Sequence, residues 1–149
     1  MKNIIGRSSV VINASAENVW ESLTDPEMIK EYFFGTNVET NWKEGSPIRF
    51  SGRYNGNEYY DKGTILQVVK NKLLKYSYWG SMSGIEDKPE NYATITYRIS
   101  EENGQTLLVV TQENISSEEM KEHSEENWKT VLTNLKQLLE NKTVTPLGL

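Results

Sequence analysis

The sequence predicts an α+β domain: a curved antiparallel sheet of six or seven strands wrapped around one long C-terminal helix, with two short helices after the first strand. Three observations carry that reading. Between about residues 37 and 113 the apolar side chains recur with period two, the spacing of strands. From Trp128 to Leu139 they recur three and four apart, the spacing of one helix face. Between the first strand and the sheet, Ser15 and the pair Asp25-Pro26 mark two helix starts in succession.

Taken in order, residues 4–13 (IIGRSSVVIN) read as a strand with Val10 and Ile12 on one face. Ser15 caps a helix in which Val19 and Leu23 lie four apart on one side. Asp25 and Pro26 suit the cap and first position of a second helix, PEMIKEYF. VETNW and PIRFSGRY follow as strands. In the second, Ile48, Phe50 and Tyr54 share a face opposite Arg49, Ser51 and Arg53. Asn55-Gly56 predicts a type I′ hairpin into EYYDKGTILQVV, and Asn71-Lys72 a second tight turn. LLKYSYWG sets Leu74, Tyr76 and Tyr78 against Lys75, Ser77 and Trp79; GSMSGIEDKPEN is a loop. YATITYRI presents Ile95, Tyr97 and Ile99 on one face, and Asn103-Gly104 turns the chain into the last strand, QTLLVVTQE. Ser116 and Glu119 match a capping box for the closing helix, with Ser124 offering a second start and hence a break near 124. The domain is expected over residues 1–142, with 143–149 as a tail.

Composition narrows the function classes. The chain has 149 residues, net charge −5 and a pI of about 5.0, so it repels a phosphate backbone and nucleic acid is not expected as a partner. No Cys is present, which fits a reducing, cytoplasmic setting and excludes disulfides, thiolate zinc sites and thiol nucleophiles. The first fifteen residues lack a continuous apolar stretch and a small-residue cleavage site, so no export signal is expected. No run reaches the roughly 18 apolar residues of a membrane span. Mean hydropathy is −0.63, yet there are four Trp, eight Tyr and three Phe, concentrated in otherwise polar segments.

Catalytic constellations are wanting. His123 is the single histidine and stands among glutamates, as a solvated surface residue does. No G-x-S-x-G, P-loop or G-x-G-x-x-G spacing occurs, and Gly80–Gly84 reads as a flexible loop. No metal and no cofactor are expected. Asp61 is the one carboxylate in a strand near the aromatic set, and by parity it points to either face. Trp20 suits the core, Trp128 the helix that roofs the sheet, Trp42 a loop or edge, and Trp79 the outer face. A single helix is about 10–12 Å wide, too narrow to fill the concave side of a curled sheet, so a hollow lined by inward rings is expected there.

The segment VVINASAENVWESLTDPEMIKEYFF resembles the opening of helix-grip, START-like (SRPBCC) proteins. The branch it is most similar to is the C-terminal domain of the activator of Hsp90 ATPase. Val19, Trp20, Leu23, Thr24, Asp25, Pro26 and Phe33 stand in the places of its strand–helix–aromatic opening. LLKYSYWG and ENWKTVLTNLKQLLE are similar to its mid-sheet strand and closing helix, so the likeness spans about residues 8–141. The resemblance implies a hydrophobic cavity between sheet and long helix. Some such proteins hold lipids, sterols or aromatic polyketide-like compounds there, and a few catalyse cyclisation or hydrolysis. On the residues of this chain the candidate ligand-binding set is Phe33, Phe50, Tyr54, Ile65, Tyr76, Tyr78, Tyr97, Gln112, Trp128, Val131 and Leu135. Three readings follow: a non-catalytic binder of a small hydrophobic molecule, an enzyme using the same cavity with Asp61, or a protein-interaction module using Trp79 and the 80–90 loop.

Overall fold

The computed structural model describes residues 3–143. The elements run β1 (Ile4–Ile12), α1 (Ala16–Thr24), α2 (Pro26–Tyr32), β2 (Asn37–Glu39), β3 (Pro47–Tyr54), β4 (Asn57–Val69), β5 (Leu73–Tyr78), β6 (Ala93–Glu102), β7 (Gln105–Ile115) and α3 (Glu118–Thr143). Among the described residues the strands form one antiparallel seven-stranded sheet in the order β1-β7-β6-β5-β4-β3-β2. The tail expected from residue 143 lies outside the described residues except for Thr143, which ends α3.

Local chemistry starts the two short helices where the sequence places them. The Ser15 hydroxyl accepts from the Asn18 N–H at 3.1 Å, and the Asp25 carboxylate accepts from the Glu27 N–H at 3.0 Å, with Pro26 at the first position of α2. Their inner faces bury Val19, Trp20, Leu23, Met28, Ile29 and Tyr32. Both Asn-Gly turns have positive φ at each residue (52° and 80° at Asn55-Gly56, 54° and 80° at Asn103-Gly104), as a type I′ hairpin requires.

The thirteen-residue β4 bends the sheet. Its first half pairs with β3 and its second with β5, and a bulge between Ile65 and Gln67 shifts the register. At the bend Gly63 leaves no room for a side chain: a Cβ there would stand 1.6 Å from the Ser77 carbonyl oxygen.

α3 starts one residue later than the capping-box reading. Ser117, not Ser116, caps it, its hydroxyl accepting from the Met120 N–H at 3.2 Å. The reason is that β7 runs on to Ile115, which pairs with Ile4 of β1. The expected break at Ser124 is absent, because that hydroxyl donates across to the Gln112 side-chain carbonyl at 2.9 Å instead of capping a new start. α3 also covers the free edge of β1. The Glu125 carboxylate accepts from the Arg7 N–H (2.8 Å), the Lys136 ammonium donates to the Val11 carbonyl (2.8 Å), and Glu140 accepts from the Asn13 N–H (3.0 Å). Side chains of the helix thus occupy backbone groups that would otherwise invite another strand. No helix among the described residues is long and apolar enough to cross a membrane.

Candidate ligand-binding site

Pinned to β1, α3 lies over one side of the sheet, against β1, β7 and α2, while β3, β4 and β5 lie beyond its backbone. Side chains bridge the gap, and among them runs a chain of aromatic rings. From the α2 end, Phe33 meets the Trp128 ring edge-on at 5.7 Å, and Trp128 meets Tyr97 at 5.8 Å. Tyr97 then meets Tyr76 at 6.3 Å, Tyr76 meets Phe50 at 5.6 Å, and Phe50 meets Tyr78 edge-on at 5.6 Å. Tilted and edge-on pairs at these distances are the favoured aromatic geometries. The result is an unbroken ladder of rings from the helix to the far strands.

The ladder is sealed along its middle, and its end rings Phe33 and Tyr78 are half-buried. Phe50, Tyr76, Tyr97 and Trp128 are all under a tenth exposed, and Ile65, Val131 and Leu135 behind them are buried completely or nearly so. The open hollow expected from the width of the helix is thus filled by rings touching one another in this conformation. Two shallow hollows, of about 510 and 450 Å³, lie on the other face of the sheet, beside Val69, Leu73 and Arg98 and beside Lys62, Asp87 and Tyr92.

Polar groups fix the rings in place. The Gln112 side-chain carbonyl accepts from the Trp128 indole N–H at 2.9 Å as well as from Ser124, so one side chain of β7 orients the ring of α3. Tyr76 and Tyr97 share a hydrogen bond, and the Tyr32 hydroxyl donates to the Ser22 carbonyl at 2.9 Å. Burial pushes the hydroxyls of Tyr32, Tyr76, Tyr78 and Tyr97 well above the ordinary tyrosine range, so each keeps its proton.

Asp61, ambiguous by parity, points to the concave side, because its register partner on β3 is the inward Phe50. The Tyr78 hydroxyl donates to it in a short hydrogen bond, and the Ser81 N–H donates to its other oxygen at 3.0 Å. The pair closes the far end of the ladder.

One candidate does not join the set. Tyr54 is 65% exposed at the tip of the β3–β4 hairpin. It shares parity with Phe50, but it stands at the last strand position before the Asn55-Gly56 turn, where its ring is left to solvent. The inward place between them belongs to Gly52, whose missing side chain is covered by Tyr59. The Tyr59 hydroxyl is hydrogen-bonded to Thr36 Oγ1 at 2.5 Å, tying β4 to the α2–β2 turn. Sequence reasoning passed over Tyr59; a glycine at an inward position across a hairpin from a tyrosine was the available signal. It also passed over Phe34, which extends the ladder at 6.0 Å from Phe33, is 53% exposed and holds a left-handed φ of 53°. No periodicity marks such a residue. Trp42 lies in the β2–β3 loop as expected, yet its ring packs on the core. Trp79 is half-buried on the outer face, its indole donating to the Ile85 carbonyl at 3.0 Å with the Lys62 ammonium 5.8 Å from its ring centre. His123 is exposed. Among the described residues no group of three or more His, Asp or Glu side chains is placed to hold a metal ion.

The family model described as activator of Hsp90 ATPase homolog 1-like protein matches residues 13–140. A solved structure of a protein from Cytophaga hutchinsonii is 44% identical, covering 96% of this chain and 99% of its own, with a TM-score of 0.83. The Aha1 dimer from Colwellia psychrerythraea is 21% identical over 92% of this chain and 96% of its own (TM-score 0.73). CalU16 from Micromonospora echinospora is 23% identical over 95% and 87% (TM-score 0.68). The latter two share the fold. No curated protein matches the sequence.

Proposed function

The chain belongs to the activator of Hsp90 ATPase homolog 1-like family, and from that premise we propose that it is a cytoplasmic, non-catalytic binder of a small hydrophobic, ring-bearing molecule held between the sheet and α3. The observation that carries this reading is the ring ladder from Phe33 to Tyr78, lying where the helix backbone does not cover β3–β5. A core that only had to be filled would be served by branched aliphatic side chains, which pack densely without polar tips. Rings with hydroxyls instead offer flat apolar faces and a few placed polar groups, the usual make-up of a ligand site. Each favourable ring–ring contact contributes about 0.5–1.5 kcal/mol beyond area burial, and a flat guest sliding into the ladder replaces such contacts with its own. Because the ladder is closed, binding requires the rings to part, so the bound form is a conformation that the guest selects.

The test is a screen of flat ring compounds and of acyl chains by thermal unfolding, followed by NMR. A guest at about 100 times its dissociation constant should add about 2.7 kcal/mol of stability. The side-chain resonances of Phe50, Tyr76, Tyr97 and Trp128 should shift with it, and Trp128→Ala should abolish the shift. If no ring compound stabilises the chain or perturbs those four residues, the reading fails.

A further inference from the structure

The ring ladder ends on a carboxylate, and that terminus deepens the reading above. Asp61 is half-buried on the concave side of the sheet. Its two oxygens receive the Tyr78 hydroxyl and the Ser81 N–H, and none of the ion pairs among the described residues includes it. An ionised carboxylate offers about four lone-pair sites, so two filled sites leave acceptor capacity beside the last ring. Gly80 carries no side chain beside the pair; a Cβ there would lie in ordinary contact with the Tyr78 hydroxyl (3.4 Å) and an Asp61 oxygen (3.5 Å). A guest that brings a donor to that capacity forms a charge-assisted hydrogen bond at the end of the ladder.

We infer that Asp61 is the specificity-determining residue of this site, selecting ring compounds whose edge carries a hydrogen-bond donor, such as a phenolic hydroxyl, over isosteric rings that carry only an acceptor. The inference rests on the ligand-binding reading. The guest lies with its face against Phe50 and Tyr78 and its donor on Asp61. The Tyr78 hydroxyl fills one acceptor site of that carboxylate and leaves the others to the guest's donor. Hydrogen bonds to charged acceptors are about twice as strong as neutral ones, and a guest that brings only an acceptor leaves the carboxylate facing it.

The experiment compares 2-naphthol with 2-methoxynaphthalene, below the phenol's own ionisation, by NMR titration of the full chain and of D61N and Y78F, each checked for fold by circular dichroism. In the native chain 2-naphthol is expected to bind about tenfold tighter or more. D61N supplies an amide donor in place of one oxygen, so the preference should vanish or invert. Y78F frees a lone pair on Asp61, so the preference should persist or grow. A merely structural role for the pair would weaken both compounds alike in both variants, and that result overturns the inference. Equal binding of the two compounds to the native chain also overturns it, while leaving the ligand-binding reading standing. Binding of neither removes both.

Discussion

At the scale of single residues, the tightest glycine among those described is Gly63, where a hydrogen stands in place of Cβ. A Cβ there would meet the Ser77 carbonyl oxygen at 1.6 Å and its carbon at 2.5 Å. These are backbone atoms of the neighbouring strand, so they move only if β5 moves. Gly63→Ala is therefore expected to cost about 3 kcal/mol or more, the size of effect reserved for strain that cannot relax locally. Gly52 makes a useful contrast. A Cβ there would also clash, at 2.6 Å, but with the hydroxyl end of Tyr59. That side chain can swing away, giving up the Thr36 hydrogen bond, so Gly52→Ala should cost nearer 1 kcal/mol. Denaturant titration of the two variants gives the order directly; equal costs would mean that the β4–β5 approach is not the tight point of the bend.

At the scale of elements, the starts of α1 and α2 are legible because a cap is a local event: one side-chain oxygen and an N–H two or three residues on. The Asn-Gly hairpins are legible for the same reason. The start of α3 is not, since two serines stand side by side and the choice between them is made by the length of β7. That length comes from pairing with β1, more than a hundred residues away in sequence. Ser117→Ala is accordingly expected to destabilise by about 1 kcal/mol, and Ser116→Ala to change little. Thermal unfolding of the two variants tests the assignment, and the reverse order would restore the capping box at Ser116. The same long-range logic governs Asp61. Its strand was legible, but its face was fixed only by the β3 register that sets it beside Phe50. Tyr54 shows the converse: the alternation is right and the strand is right, but the residue stands at the hairpin tip beside the Asn55-Gly56 turn and is left exposed.

At the scale of the whole molecule, the period-two pattern identified most of the rings of the ladder, but not that they touch. Contact depends on α3 being drawn to one side by its bonds to the β1 edge, and no spacing within a strand reports the lateral position of a helix. The sealing of the ladder has a consequence for alkaline stability. Tyr32, Tyr76, Tyr78 and Tyr97 all have hydroxyls raised above the ordinary value of 10.0, chiefly by burial. In the unfolded chain they ionise near 10; in the folded chain they hold their protons to higher pH. The unfolded state therefore binds fewer protons above pH 10, and the stability these groups contribute, fully present below 10, is lost as pH rises beyond it. Each group costs about 1.4 kcal/mol per pH unit there, so four together cost roughly 5–6. A domain with the usual stability of about 5–15 kcal/mol is then expected to unfold cooperatively between about pH 11 and 12 or slightly above. Following tyrosinate absorbance together with near-ultraviolet circular dichroism resolves the point: four of the eight tyrosines should ionise only as tertiary structure disappears. Ionisation of all eight in one smooth wave with the dichroism intact would show that the rings part readily in the native state, and that the ladder stands open to guests without the closed conformation having to yield.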